Sequence, residues 1–302
     1  MNTAVKLGGF VLALGAVFGA TYGLGRVVGP VAEAAPEHAA NADPGAGGHE
    51  GGHEGDATGN ASDPADAHLP GGLQVSDRGY TMRPMTASTD EFAFQITGPD
   101  GHPVKKYDVE HDKQMHLIVV RRDLSGFRHV HPELSADGTW RVDSPLGEPG
   151  SWRAYADFKP TGGEALTLGV DVDVAGKYAP KALPAPARTA TVDGYTVSLV
   201  GSLEPGRTSK LTLSVSRDGK PVTDLQPYLA AYGHLVALRQ GDLAYLHVHP
   251  DGEPGDGTTE AGPAITFYAE VPSVGSYRLY LDFRHGGKVR TAEFTIEAGG
   301  HD

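Results

Sequence analysis

Six histidines fall into two sets of identical spacing. His116 is followed thirteen positions later by His129 and then by His131; His234, His247 and His249 repeat that interval without a gap. Each set ends in His-Val-His-Pro, reached from its first histidine through an apolar run and a turn. Residues i and i+2 of a strand point to one side, so His129 and His131 project together, as do His247 and His249. Neutral imidazole is a strong ligand for copper, zinc and nickel, and three imidazoles leave a coordination position open. The chemistry this spacing supports is metal binding, with one histidine cluster per copy of the motif.

Bringing three imidazoles together requires a hairpin. Residues 117–120 and 235–238 read as strands, and Asp123-Leu124-Ser125-Gly126 reads as the turn between two arms. A turn centred between Leu124 and Ser125 sets His129 against Val120 and His131 against Ile118, with His116 diagonal to His131 on the same face. A turn one residue longer or shorter puts His116 on the opposite face.

Other candidate donors are less strongly marked. Met115 beside His116, with Met82 and Met85, supplies thioether sulfur, a soft donor that selects Cu(I); the second copy has Gly233, Val197 and Val200 at those places. The alternative for these methionines is core filling. Asp157 and Asp282 occupy matching places in the copies. They read as a fourth ligand, as an acceptor that orients a histidine, or as a partner of the neighbouring arginine or tyrosine. His285, where the first copy has Pro160, belongs either to the second site or to a loop.

The duplication extends far beyond the histidines. Gly79-Tyr80-Thr81 answers Gly194-Tyr195-Thr196, and the strand from Ser151 to Lys159 answers that from Ser276 to Arg284. In the former, Trp152, Ala154, Ala156 and Phe158 take one face and Arg153, Tyr155 and Asp157 the other, so the first set is expected in a core. Short alternating segments separated by Gly, Pro and Asp predict an all-β fold, a tandem of two immunoglobulin-like β-sandwich domains. The expected domains are residues 71–177 and 188–298, joined by a Pro/Ala linker at 178–187 and followed by a tail at 299–302. Ahead of them, residues 1–30 carry an uncharged apolar run at 7–25 after Lys6, expected to be a signal peptide or a membrane anchor. Residues 31–70, rich in His, Gly and Asp, are expected to be a disordered linker, whose Gly-His-Glu-Gly repeat at 48–55 is either a weak metal-binding tract or an incidental part of an acidic spacer.

Composition narrows the function. The 302 residues carry a net charge of −13, which argues against nucleic acid or an anionic membrane surface as partner. The absence of cysteine removes disulfides, thiolate metal sites and cysteine nucleophiles. No nucleophile-elbow signature is present, so no enzyme is expected.

The string His-Leu-Ile-Val-Val-Arg-Arg-Asp-Leu-Ser-x-Phe-x-His-Val-His-Pro, and Ala-Asp-Phe-Lys-Pro after it, resemble a family of exported bacterial proteins frequent in actinobacteria. That family is described as secreted or heavy-metal-binding and is related to YtkA-like domains. The resemblance implies immunoglobulin-like domains outside the cytoplasm and a place in metal homeostasis beside copper-handling systems. Its motif positions here are His116, His129, His131, His234, His247 and His249. The expectation is therefore an extracytoplasmic protein, anchored or secreted, that binds copper, or alternatively zinc, and buffers the metal or passes it to an envelope transport protein. The competing expectation is an adhesion or protein-interaction module whose histidines are structural.

Overall fold

The computed structural model describes residues 69–299 apart from His247, and of His249 the backbone. The expected export segment, the His-rich tract and the last residues of the tail lie outside the described residues. All regular structure in that range is β, and no helix there is long and apolar enough to cross a membrane.

The first sandwich contains β1 (Ser76–Asp77), β2 (Tyr80–Ala87), β3 (Glu91–Thr97), β4 (His116–Arg121), β5 (Arg128–Val130), β6 (Glu133–Leu134), β7 (Thr139–Asp143), β8 (Gly150–Phe158) and β9 (Leu166–Val174). They form two antiparallel sheets, ordered β1-β2-β3-β7-β6 and β5-β4-β8-β9. The second sandwich contains β10 (Thr189–Val192), β11 (Tyr195–Val200), β12 (Thr208–Arg217), β13 (Lys220–Pro221), β14 (Gly233–Arg239), β15 (Tyr245–Leu246), β16 (Val248–Pro250), β17 (Ala264–Glu270), β18 (Gly275–His285) and β19 (Lys288–Ala298). Its sheets, β10-β11-β12-β17-β16 with β13 beside β12, and β15-β14-β18-β19, reproduce the first topology. The fold is thus a tandem repeat of two immunoglobulin-like sandwiches. Each has its own apolar core, one around Phe92, Phe94, Trp152 and Phe158, the other around Leu213, Phe267, Phe283 and Phe294.

The central strands of the two four-stranded sheets, β4 and β8 in one and β14 and β18 in the other, are buried on both faces. Their inner faces close the sandwich cores, and their outer faces meet each other. Ile118, Val120, Leu124, Phe127 and Tyr155 pack there with Val236, Leu238, Leu243 and Tyr280. Phe127 stacks on Tyr280 with ring centroids 4.0 Å apart. The contact is reciprocal: the Tyr155 hydroxyl donates to the Leu243 carbonyl at 2.6 Å, and the Tyr280 hydroxyl donates to that of Leu124 at 2.6 Å. The face of β8 carrying Arg153, Tyr155 and Asp157 is therefore no solvent face: Tyr155 packs against the second copy, and Arg153 donates to the Gly72 and Leu73 carbonyls. An uninterrupted apolar run such as Leu117-Ile118-Val119-Val120 suits a strand buried on both sides.

The register of the histidine hairpin differs from the expected one. β4 pairs with β5 through Leu117 and Val130, Ile118 and His129, and Val119 and Arg128. Carried one step on, this alignment sets His131 opposite His116. The turn closes one residue early: Arg121 N donates to Ser125 O at 2.9 Å, Leu124 N to Arg121 O at 2.8 Å, and Leu124 takes a left-handed φ of 63°. The displacement amounts to two residues in the pairing, so every side chain keeps its face.

Candidate metal centre

His116 opens β4 and is 9% exposed. Because side chains alternate along the strand, His116 lies with Ile118 and Val120 on the face toward the second domain, while Met115 and Leu117 enter the core. His129 and His131 reach the same face from the other arm of the hairpin. The ligating atoms of His116, His129 and His131 all lie within 4.8 Å of one another. Metal–nitrogen bonds of about 2.0–2.1 Å put the ring centroids of imidazoles sharing one tetrahedral ion about 5 Å apart. The observed separations are 5.3 Å for His116 and His129, and 5.0 Å for His131 to each of them.

Hydrogen bonds around the rings fix which nitrogens are free. His116 Nε2 lies 3.1 Å from the Glu110 carbonyl oxygen, so it carries the proton and donates, leaving Nδ1 as a lone pair. His129 Nδ1 lies 3.2 Å from Asp282 Oδ2 of the second domain and donates there, which directs Nε2 into the cluster. Those two free nitrogens, His116 Nδ1 and His129 Nε2, face each other at 3.0 Å. Two lone pairs at that distance repel unless they share a cation, either a proton or a metal ion. Beside them His131 Nε2 is buried with no hydrogen-bond partner among the described residues. Burial, reinforced by His129, pushes His116 and His131 down to about 3, so both are neutral at physiological pH, the form in which an imidazole can take a metal.

The second domain supplies more than Asp282. His234 packs its ring 6.2 Å from that of His129, and its Nε2 lies 2.9 Å from both the Tyr228 and Leu229 carbonyl oxygens. Burial, followed by His129, pushes it down to about 4. Asp282 pairs across the strands with His234, and Asp157 with His116. Asp282 is held by Thr291 Oγ1 at 2.5 Å, and Asp157 by Thr167 Oγ1 at 3.2 Å. Burial pushes Asp157 up to about 6. Of the roles open to Asp282, the geometry is that of an acceptor orienting a histidine. A cavity of about 790 Å³ adjoins the cluster, lined by His111, His116, His129, Asp157 and His234 among others.

The remaining candidates fall elsewhere. Met82 and Met115 are each 1% exposed inside the first core and Met85 is 60% exposed, so the thioether set does not assemble at the histidines. His285, at the end of β18, bonds with the Tyr195 hydroxyl at 2.7 Å and Asp224 Oδ1 at 3.0 Å, apart from the cluster. His247 and the side chain of His249 lie outside the described residues, so His234 is the one member of the second set that can be placed. The backbone of His249 has already crossed to the other sheet, where it pairs with Tyr268 of β17. In the first domain the crossing strand β6 begins only at Glu133.

Sequence reasoning missed the two turns that hold the rings. Glu110 and Lys113 exchange backbone hydrogen bonds at 2.9 and 3.1 Å around His111 and Asp112, both with positive φ. Tyr228 and Ala231 do the same at 2.8 and 3.2 Å around Leu229 and Ala230. Each turn stands six residues ahead of its histidine and presents carbonyls to it. The first also brings His111, whose ring lies 6.2 Å from that of His116 and 5.8 Å from that of His234. Adjacent His-Asp, two residues tolerant of left-handed backbone, was the available signal.

The chain matches the family described as Domain of unknown function (DUF8832) over residues 72–176 and again over 190–300, one match for each sandwich. No curated protein matches it. Similar solved structures include a putative membrane anchored protein from Corynebacterium diphtheriae, at 10% identity over 75% of this chain and 60% of that one, with a TM-score of 0.22. Invasin, a bacterial integrin-binding protein, shows 11% identity over 74% of this chain and 37% of its own, with a TM-score of 0.21. Domains 4 and 5 of the S-layer protein SbsC show 10% identity over 74% and 98%, with a TM-score of 0.20. The chain thus spans three fifths of the length of the first of these and less of the second. Likenesses this distant carry no argument about function.

Proposed function

We propose that this chain, which belongs to the DUF8832 family through both of its sandwich domains, is an extracytoplasmic metal-binding protein that takes up a divalent ion, copper first and zinc as the alternative. The observation that carries the reading is the pair of free nitrogens on His116 and His129, 3.0 Å apart, with His131 closing the triangle. An all-imidazole set suits Cu(II) and Zn(II), and the order of divalent affinities favours copper. With Met82 and Met115 in the core and Met85 at the surface, nothing among the described residues selects Cu(I). Residues 7–25, an apolar run after a single lysine, support export, and the resemblance to secreted heavy-metal-binding proteins supports the same compartment. The role is to buffer the ion or hand it to an envelope transport protein, with no substrate transformed.

The test is titration of the full chain with Cu(II) and Zn(II) against a competing chelator strong enough to mask the weak histidines of residues 48–55. The wild type is expected to retain one tight ion that the His116→Ala/His131→Ala double variant loses. Equal affinity in a folded double variant would sink the reading.

A further inference from the structure

Domain 2 reaches into the first domain's histidine cluster at two points. The Asp282 carboxylate accepts from His129 Nδ1 at 3.2 Å, and both side chains are 5% exposed. His234 has its Nε2 proton committed to the Tyr228 and Leu229 carbonyls, so its single lone pair is on Nδ1. That ring is packed among His111, His129 and Tyr228. A neutral, half-buried imidazole with a committed N–H is the state in which a metal ligand is held.

We propose that the metal centre is shared between the domains: His234 brings Nδ1 as a fourth nitrogen, and Asp282 is the positioning residue that aims His129. The inference rests on the metal-binding reading above and adds that the site is complete only when the domains are docked. The His129–His234 centroid distance of 6.2 Å must close by about 1 Å to reach the separation of imidazoles on one tetrahedral ion. His234 stands outside the triad whose ligating atoms lie within 4.8 Å of one another, so its ring must move inward for Nδ1 to reach the ion. His111 is the weaker candidate for fourth ligand, because it is exposed on its turn. The duplication explains how a second domain came to supply these groups. His116 with Asp157, and His234 with Asp282, are the same cross-strand pair in the two copies, brought to the cluster from opposite sides. A bound ion then ties the two sandwiches together, and its release is linked to their parting.

The experiment uses the full chain as wild type, His131→Ala, His234→Ala and Asp282→Asn, loaded with Cu(II) or Zn(II) under chelator competition. Affinity is read together with the number of coordinated imidazoles, from nitrogen hyperfine couplings for Cu(II) and X-ray absorption for Zn(II). His234→Ala is expected to weaken binding and to remove one imidazole from the count. Asp282→Asn is expected to weaken binding about 10–100-fold with the count unchanged, as loss of a ligand's orienting partner does. His234→Gln, which keeps a polar side chain of similar reach, replaces the alanine variant should that one not fold. Unchanged affinity and an unchanged count in a folded His234 variant, with His131→Ala still losing the ion, overturn the shared centre and leave the metal-binding reading standing. A wild type that holds the ion no better than His131→Ala overturns both.

Discussion

His129 stands between an acid and a base, and that position has a measurable consequence. Its Nδ1 donates to Asp282 and its Nε2 meets the free Nδ1 of His116 at 3.0 Å. Without a metal the contact is relieved by a proton on the line between the two nitrogens. A metal ion entering the triangle displaces that proton. Calorimetry at pH 7 in buffers of differing ionisation enthalpy is expected to show about one proton released per ion bound. A binding heat independent of buffer would mean that His116 holds the opposite tautomer, with its lone pair toward Glu110. The spacing of His116, His129 and His131 made the triad legible in the sequence. The proton arrangement was not, because it depends on Asp282, 153 residues beyond His129 and in the other domain.

Two short turns decide how well the rings are aimed. The Tyr228–Ala231 turn places Leu229 at φ 53° and Ala230 at φ 60°, conformations that cost an L-residue about 1–2 kcal/mol each. They are held there by the paired hydrogen bonds of the turn, and the outcome is two carbonyls on His234 Nε2. Ala230 is exposed, so its methyl group contributes little packing. Ala230→Gly is expected to stabilise the protein by up to about 1 kcal/mol, after glycine's larger unfolded-state freedom is set against the relieved strain. That corresponds to a thermal midpoint about 2 °C higher, with metal affinity unchanged. A lower midpoint would show that the turn is not strained. At this scale the sequence was legible in part. Alternation and punctuation mark β4, β8 and the hairpin, and they place Trp152, Ala154, Ala156 and Phe158 in the core. The hairpin register came out two residues off, because Leu124 adopts a left-handed conformation that no residue preference would assign to it. The second turn was not legible because Leu229-Ala230 carries none of the usual left-handed residue types, whereas His111-Asp112 offered a signal for the first.

The described residues form two copies of one sandwich closed face to face, and the contact buries an apolar patch and the histidines together. The duplication could be read from matching strings, whereas the docking could not. Tyr155 and Tyr280 look like ordinary outward residues of alternating strands until each is seen donating to a carbonyl of the other domain. Placing the histidines in that seam makes stability depend on pH in a direction that can be worked out. His116 and His131 are pushed down to about 3 and His234 to about 4, against about 6.5 in an unfolded chain. Above pH 6.5 all three are neutral in both states, and their contribution is fully present. As pH falls below 6.5 the unfolded chain takes up protons that the folded one refuses, so stability drops progressively down to about pH 3–4. Asp157, raised to about 6, acts with the opposite sign: the folded chain accepts its proton first, which stabilises on acidification until the unfolded carboxyl also protonates near 3.9. One carboxyl opposes three imidazoles, so the metal-free protein is expected to lose thermal stability steadily from pH 6.5 to 4.5. The His116→Gln/His131→Gln/His234→Gln variant removes the imidazoles while keeping side chains that can hydrogen-bond, and its midpoint should depend less on pH across that window. Parallel pH profiles for the two proteins would place the acid sensitivity elsewhere and show that the histidines in the seam stay as easily protonated as those in water.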